Sequence, residues 1–171
     1  SQYDLDNDGT VDNLCIVHAG RGEEEGGNAN AIWSHRYEDL DYPIVDGKTV
    51  KGYTMVAENS TLGAFAHEFA HDIGLPDLYD VDYSSDGVGA WCLMGSGGWN
   101  DMGITPSHLS AWCKAKLGWL SPTSISDQSA RMIANIENNS TGSLYRFGVT
   151  PKEYFLVENR QKTGFDAALP G

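Results

Sequence analysis

The run HEFAHDIGLPD at residues 67–77 constrains this chain more than any other stretch, because it follows the pattern H-E-x-x-H-x-x-G-x-x-D. His67 and His71 are four residues apart, so on a helix they lie on one face, one turn from each other. Two imidazoles at this spacing can hold one zinc ion, and Gly74 can end the helix in the left-handed conformation. The turn after Gly74 can bring Asp77 back toward the metal as a third ligand, which leaves the fourth position to water.

The residues around this run predict the helix independently. The Asn-Ser-Thr sequence at residues 59–61 offers an N-cap. At about 100° per residue, the two histidines and Glu68 fall opposite an apolar stripe, so we expect the stripe to face the core and the polar side to face a cleft. Glu68 has the position of the general base in zinc peptidases; the alternative is a surface helix with two solvated histidines. The stripe consists of Leu62, Phe65, Ala66, Phe69, Ala70 and Ile73.

Composition narrows the classes of function. The net charge of −13 disfavours nucleic acid as a partner, because its phosphates would be repelled. The sequence has no apolar run of about 18 residues, so we predict no membrane span. Cys15, Cys92 and Cys113 form an odd set without zinc-finger spacing, so at most one internal disulfide can form. We predict that Cys15 and Cys113 are buried free thiols, because each lies among apolar residues.

The acidic segment Asp4–Asp12 resembles the first nine positions of an EF-hand-type calcium loop. The twelfth position is Cys15 rather than glutamate, and the chain is predicted to continue as a strand. We therefore predict a calcium loop of related geometry; the alternative is an acidic turn without an ion. The expected ligands are the carboxylates of Asp4, Asp6, Asp8 and Asp12 and the carbonyl of Thr10.

A second acidic loop follows the candidate metal ligands and contains Asp80, Asp82 and Asp86. It is either a second calcium site or an ordinary solvated loop. His18 and His35 lie at or near predicted strands, and we expect them to be hydrogen-bonded structural residues rather than zinc ligands.

The remaining pattern predicts short strands and one further helix. An Asp46-Gly47 turn predicts a hairpin, and Thr105-Pro106 predicts the start of a helix that Gly118 ends. The predicted strands are Leu14–Val17, which we expect to be buried, Ala31–Tyr37, Tyr53–Ala57, Ala130–Ile136, Ser143–Gly148 and Tyr154–Asn159.

At residues 67–80 the sequence resembles the metzincin-like secreted metalloproteases. The resemblance is to the immune inhibitor A family of bacterial proteases in particular, whose active-site run is similar to HEFAHDIGLPDLYD. The resemblance extends to the Asp4–Asp12 segment and to the runs CIVHAG, IWSHR and YFLVENRQKTGFDAALPG. Metzincins usually have a third histidine, and the aspartate variant of this family matches Asp77. The resemblance implies a secreted zinc endopeptidase stabilised by calcium. It also implies that Met94 lies in a tight turn beneath the zinc, with Ser96 where some metzincins have tyrosine.

These observations together predict an α+β fold of the metzincin type. We expect a single catalytic domain over residues 1–171, which is part of a longer chain. Its upper subdomain, about residues 1–77, would carry a twisted sheet and the active-site helix above a cleft. Its lower subdomain, about residues 78–171, would carry the Met94 turn and a helix below.

The predicted activity is hydrolysis of peptide bonds in protein or peptide substrates, with Zn²⁺ as catalytic and Ca²⁺ as structural cofactor. An extended substrate would pair with the strand at Ala31–Tyr37. One alternative is a calcium-stabilised binding or adhesion module with a vestigial zinc site. A zinc hydrolase of non-peptide amides is a further alternative.

Overall fold

The computed structural model describes residues 2–38, 41, 43–82, 84–127, 129–138, 142–148, 150 and 152–171. The chain forms two compact units, Ser1–Gly74 and Leu75–Gly171. The predicted boundary, after residue 77, lies close to this division, whereas a single catalytic domain over the whole chain stays a prediction. Among the described residues, none of the helices combines the length and hydrophobicity that a membrane-spanning segment requires.

The first unit contains a three-stranded sheet, a short hairpin and the longest helix of the described chain. The sheet order is β1-β5-β2, with β5 parallel to β1 and antiparallel to β2. The hairpin turns at Asp46 and Gly47, whose φ angles of 50° and 75° fit a type I′ turn, and this prediction is confirmed. The elements are β1 (Cys15–His18), β2 (His35–Glu38), β3 (Ile44–Val45), β4 (Lys48–Thr49), β5 (Gly52–Ala57) and α1 (Leu62–Asp72).

The strand predicted at Leu14–Val17 exists as β1, but the prediction that it is buried is wrong. Val17 is 54% exposed, and Cys15 is exposed as well, so Cys15 is not a buried thiol. The reason is the position of β1 in the sheet, where it pairs with β5 alone, while α1 packs on β5 and β2.

The apolar stripe of α1 faces the core only in part. Leu62 and Phe69 are 50% and 51% exposed. Burial along α1 instead follows its small residues together with one carboxylate, because small side chains allow close packing of the helix. The buried residues of α1 are Gly63, Ala64, Glu68 and Ala70.

The second unit contains one short helix and a second three-stranded sheet. Its strands are ordered β6-β7-β8, with β6 parallel and β8 antiparallel to β7. A small core of Ala111, Ile136 and Leu144 joins the helix to this sheet. The elements are α2 (Ala111–Lys116), β6 (Thr123–Ser124), β7 (Leu144–Gly148) and β8 (Tyr154–Glu158), preceded by 3-10 turns at Gly89–Trp91 and Ser96–Gly103.

Two predictions for the second unit need correction. Ala130–Ile136 is not a strand: only Asn135 forms a single bridge, to Asn159, and a 3-10 turn begins at Ile136. The helix predicted from Thr105-Pro106 begins only at Ala111, after the N-cap Ser110. The delay has a physical cause, because backbone N–H groups of the intervening segment bond to Gly97, Asp166 and Cys92 instead of forming a helical ladder.

Candidate active site

The helix α1 is held at both ends by interactions that fix where its histidines lie. At its start the Thr61 N–H donates to the Glu25 carboxylate at 2.6 Å, and the Thr61 side chain makes no capping bond. At its end Gly74 has a φ of 96°, and its N–H donates to the His71 carbonyl at 2.9 Å. The left-handed termination predicted at Gly74 is therefore present, and the chain turns there toward Asp77.

The continuous segment 67–77 brings together the three side chains that the sequence nominated as metal ligands. One ligand atom each from His67, His71 and Asp77 lies within 4.8 Å of the other two, and all three residues are half-buried. The two imidazole rings are 4.8 Å apart between centroids and nearly perpendicular. Tetrahedral zinc at about 2.0–2.2 Å from each donor places neighbouring donors about 3.3–3.6 Å apart. The three side chains are therefore a donor set that fits zinc, and the donor atoms would close in by up to about 1.5 Å on binding it.

Glu68 follows the first of these histidines and is only 8% exposed. Burying a carboxylate is costly unless polar groups or a cation stabilise it. Glu68 is thus a buried acid on the same helix as the two histidines.

An ion pair between α1 and the sheet involves Asp72, the residue that follows His71. Arg36 of β2 forms an ion pair with Asp72, whose side chain is 4% exposed. The Thr54 hydroxyl of β5 donates to the same carboxylate at 2.7 Å. Because Asp72 follows His71, this pair of contacts fixes the last turn of α1 against two strands. Sequence analysis missed this role, since nothing in the spacing of Arg36 and Asp72 links them.

Met94 lies in a tight turn, and its side chain is fully buried. That this turn lies beneath a zinc ion stays a prediction. The Gly95 N–H donates to the Cys92 carbonyl at 2.9 Å and closes the turn. The Leu78 N–H donates to the Met94 carbonyl at 2.7 Å. Since Leu78 follows Asp77, the Met94 turn is bonded to the chain immediately after the third ligand candidate.

The acidic loop brings together three of its five predicted calcium ligands. Carboxylate oxygens of Asp4, Asp6 and Asp8 lie within 4.8 Å of one another. Asp12 instead accepts a hydrogen bond from the Leu5 N–H at 2.8 Å. The Thr10 N–H donates to Asp8 at 2.7 Å.

Lys48 supplies a positive charge to this loop. Its ammonium forms an ion pair with the fully buried Asp4, and this hydrogen bond is the main reason that the pKa of Asp4 lies below its ordinary value. The hairpin that carries Lys48 also bonds to the loop through its backbone, since Thr49 exchanges hydrogen bonds with Gly9 and Val11. The loop is therefore bound to the hairpin by one ion pair and by backbone hydrogen bonds.

The second acidic loop shows a different arrangement. The Asp80 carboxylate accepts hydrogen bonds from the hydroxyls of Ser84 and Ser85 at 2.8 and 2.9 Å. These bonds, that of Ser84 first, hold the pKa of Asp80 well below its usual range. In the described part of the chain, Asp80, Asp82 and Asp86 do not form a group like the two above. A second calcium site stays a prediction.

His18 and His35 both have hydrogen-bonding partners of the expected kind. His18 Nδ1 lies 3.0 Å from the Ala19 carbonyl. His35 lies 2.7 Å from the Trp33 carbonyl through Nδ1 and 3.2 Å from the Tyr53 hydroxyl through Nε2. Within the residues that the structure covers, neither belongs to a group that could hold a metal.

Comparison with known proteins decides the family. The catalytic domain described as immune inhibitor A peptidase M6 matches residues 3–120, which is more than half of the chain. The chain belongs to this peptidase family. The resemblance noted in the sequence is thereby confirmed, and the matched range contains α1, Asp77 and the Met94 turn.

Two relatives show how much of a longer protein this chain represents. It is 40% identical over 126 residues to the pre-pro-metalloprotease PrtV of Vibrio cholerae, a match that covers 63% of this chain and 14% of PrtV. It is 38% identical over 135 residues to immune inhibitor A of Bacillus thuringiensis, covering 64% of this chain and 20% of that protein. The chain therefore spans a small part of the relatives it matches.

Proposed function

We propose that this M6 peptidase chain is a zinc-dependent endopeptidase whose metal is held by His67, His71 and Asp77. The observation that carries the proposal is the convergence of these three side chains, with the buried Glu68 on the same helix. Two imidazoles and one carboxylate form a donor set that zinc accepts in catalytic sites. When bound, zinc would supply Lewis-acid polarisation of the peptide carbonyl and would acidify a water molecule.

The chain's own residues would carry the proton transfers. Glu68 would accept the proton of the attacking water and then donate it to the leaving amine. Asp77 places a negative charge on the metal where most metzincins have a neutral imidazole, so water is acidified less and Glu68 must carry more of the activation. The Arg36–Asp72 ion pair and the Thr54 hydrogen bond would keep the last turn of α1 in register with the sheet.

An edge strand is available for an extended peptide substrate. In the described sheet, β2 pairs with β5 alone, so its other edge carries unpaired backbone groups. A substrate could add to this edge as a further strand, which supports the pairing predicted for Ala31–Tyr37 only from His35 onward, where β2 begins. By family resemblance, the substrates would be proteins outside a bacterial cell, and the protein would be secreted.

The metal assignment is tested by comparing two histidine variants. His71→Ala should lose zinc and peptidase activity together, since it removes one of three ligands. His18→Ala is the matched control, because its Nδ1 lies 3.0 Å from the neighbouring Ala19 carbonyl and, among the described residues, it belongs to no group that could hold a metal. Zinc content by mass spectrometry and cleavage of a fluorogenic peptide are measured for each. Retention of one equivalent of zinc by His71→Ala would contradict the assignment.

We also propose that the loop containing Asp4, Asp6 and Asp8 holds structural calcium. The convergence of the three carboxylates supports this, whereas the Lys48 ammonium already stabilises Asp4. Calcium would therefore have to share Asp4 with Lys48 or displace it. Asp12 and the Thr10 carbonyl are the other two proposed ligands, and the Asp12 carboxylate accepts the Leu5 N–H, which ties the two ends of the loop together.

Calcium binding is expected to raise the melting temperature of the zinc-loaded protein. A ligand that binds only the folded state stabilises it by mass action, and a saturated site should shift Tm by roughly 5 °C. Thermal melts in calcium and in a calcium-selective chelator, with zinc held constant, measure the shift. Asp6→Asn should reduce it and Asp127→Asn, outside the loop, should not. Equal melts in calcium and chelator would rule out the site.

A further inference from the structure

The two fully buried cysteines of the second unit lie against each other. Cys92 Sγ and Cys113 Sγ are 3.8 Å apart, and each side chain has 0% exposure. Cys92 precedes the Met94 turn, and Cys113 lies in α2. The third cysteine, Cys15, is exposed and belongs to the other unit. The odd count of cysteines thus resolves into one adjacent pair and one separate thiol.

We propose that Cys92 and Cys113 form a disulfide that ties the Met94 turn to α2. A disulfide needs a sulfur–sulfur distance of about 2.0 Å, so the two atoms must approach by about 1.8 Å from their separation of 3.8 Å. Rotation of the two side chains can supply a movement of this size.

Both backbones are held in place, so the approach does not require the chain to rearrange. The Cys92 carbonyl accepts hydrogen bonds from Gly95 and Gly97 at 2.9 and 3.1 Å, and the Cys113 carbonyl accepts from Leu117 at 2.9 Å. Ser110 contacts both sulfurs: its N–H donates to Cys92 at 3.3 Å, and its hydroxyl donates to Cys113 at 3.4 Å. These bonds keep the two sulfurs side by side.

The position of Cys92 makes it the first of the two sulfurs to meet an oxidant. Cys92 and Ser110 line a cavity of about 620 Å³, whereas Cys113 does not line it. The contact with Cys113 is the main cause that lowers the pKa of Cys92 to about 6. Thiolate is the form that attacks a disulfide, so this shift favours the same assignment, with Cys113 as the resolving sulfur.

The oxidant in this proposal is a small-molecule disulfide, RSSR. Cys92 attacks one sulfur of RSSR, which forms a mixed disulfide and releases the first RSH. Cys113 then attacks Cys92 Sγ, which forms the Cys92–Cys113 bond and releases the second RSH. Two electrons pass from the cysteine pair to RSSR, and both thiol protons leave on the two RSH molecules. Because both thiols are buried, we expect the reaction to be fast during folding and slow in the folded protein.

The test is to refold the full chain in oxidised and reduced glutathione, alkylate all free thiols under denaturing conditions, and map the peptides. We expect a Cys92–Cys113 linked peptide, alkylation of Cys15 alone, and an intact mass about 2 Da below that of the reduced chain. Alkylation of all three cysteines, or a linkage that involves Cys15, would overturn the proposal. Cys15→Ser serves as the matched control and should leave the linkage unchanged.

A melting experiment tests the stabilising role without relying on a core substitution. Closing the loop between residues 92 and 113 restricts the unfolded chain, so the oxidised protein should melt higher than the reduced protein by on the order of 5–10 °C. The comparison uses the same wild-type chain in both redox states. An oxidised form that carries the linkage but melts no higher than the reduced form would show that the bond does not stabilise this unit.

Discussion

Replacing Glu68 by glutamine is expected to lower peptide hydrolysis by about 10²–10⁴-fold while zinc binding is retained. Glutamine keeps the size of the side chain and a hydrogen-bonding group, but it cannot accept the proton of the attacking water. The three proposed metal ligands, His67, His71 and Asp77, are unchanged in this variant. Zinc content should therefore match that of the parent chain, unlike in His71→Ala.

The measurement is turnover of a fluorogenic peptide at saturating zinc, with zinc content determined on the same samples. Because Glu68 is buried, Tm is recorded to exclude a folding defect. Glu153→Gln is the matched control, since Glu153 is exposed and lies in the other unit. Near-normal turnover by Glu68→Gln at full zinc occupancy would contradict the proposed role of Glu68 as general base. A parent chain that binds zinc but cleaves no peptide would instead favour the binding-module alternative.

Sequence could predict that the side chains of His67, His71 and Asp77 lie together, because the geometry that brings them together is local. His67 and His71 are one helical turn apart, and Gly74 allows the turn that leads to Asp77, so the whole group depends on eleven consecutive residues. The hairpin at Asp46-Gly47 was predictable for the same reason. Where a structural feature depends on residues close in sequence, backbone geometry and residue type are sufficient to predict it.

The predictions that were wrong concern burial and helix bounds that depend on contacts between distant parts of the chain. The sequence of α1 is that of an amphipathic helix. Leu62 and Phe69 of its apolar stripe are nevertheless exposed, because the helix packs through its small residues. The segment after Pro106 has helical signals, but bonds to Gly97 and Asp166 hold its backbone outside a helix. Neither effect can be derived from spacing alone, since both depend on which segments meet in three dimensions.

The C-terminal run YFLVENRQKTGFDAALPG was noted in the sequence only as part of the family resemblance. The structure shows what it contributes to the fold. It supplies Arg160 and Asp166, whose side chains are 6% and 0% exposed and form an ion pair. Arg160 Nε donates to Asp166 at 2.8 Å, and the same guanidinium donates to the carbonyls of Trp91 and His108. The Asp166 carboxylate also accepts the His108 N–H at 2.9 Å. One buried ion pair thus connects the C-terminal run to the segments on either side of the Met94 turn.

Asp166→Asn is expected to reduce the free energy of unfolding by about 3–5 kcal/mol, because it leaves the Arg160 charge buried without its main partner. Urea denaturation followed by tryptophan fluorescence measures the change. Asp127→Asn is the matched control, since it also removes an aspartate paired with arginine, but the Asp127–Arg131 pair is exposed and should contribute little. Equal losses of unfolding free energy in the two variants would show that the Asp166–Arg160 pair stabilises the fold no more than an exposed pair does.

The pH dependence of stability provides a second test of the same pair. Burial by itself would raise the pKa of Asp166, but the Arg160 guanidinium and the His108 N–H outweigh it and hold this pKa below its ordinary value. A carboxyl whose pKa is lower in the folded state stabilises the fold above its unfolded pKa of about 3.9. This contribution is lost as the pH falls through the folded value. The free energy of unfolding of the parent chain should therefore fall more steeply below about pH 4 than that of Asp166→Asn. Parallel curves for the two proteins in this range would contradict the assignment, because the asparagine cannot titrate.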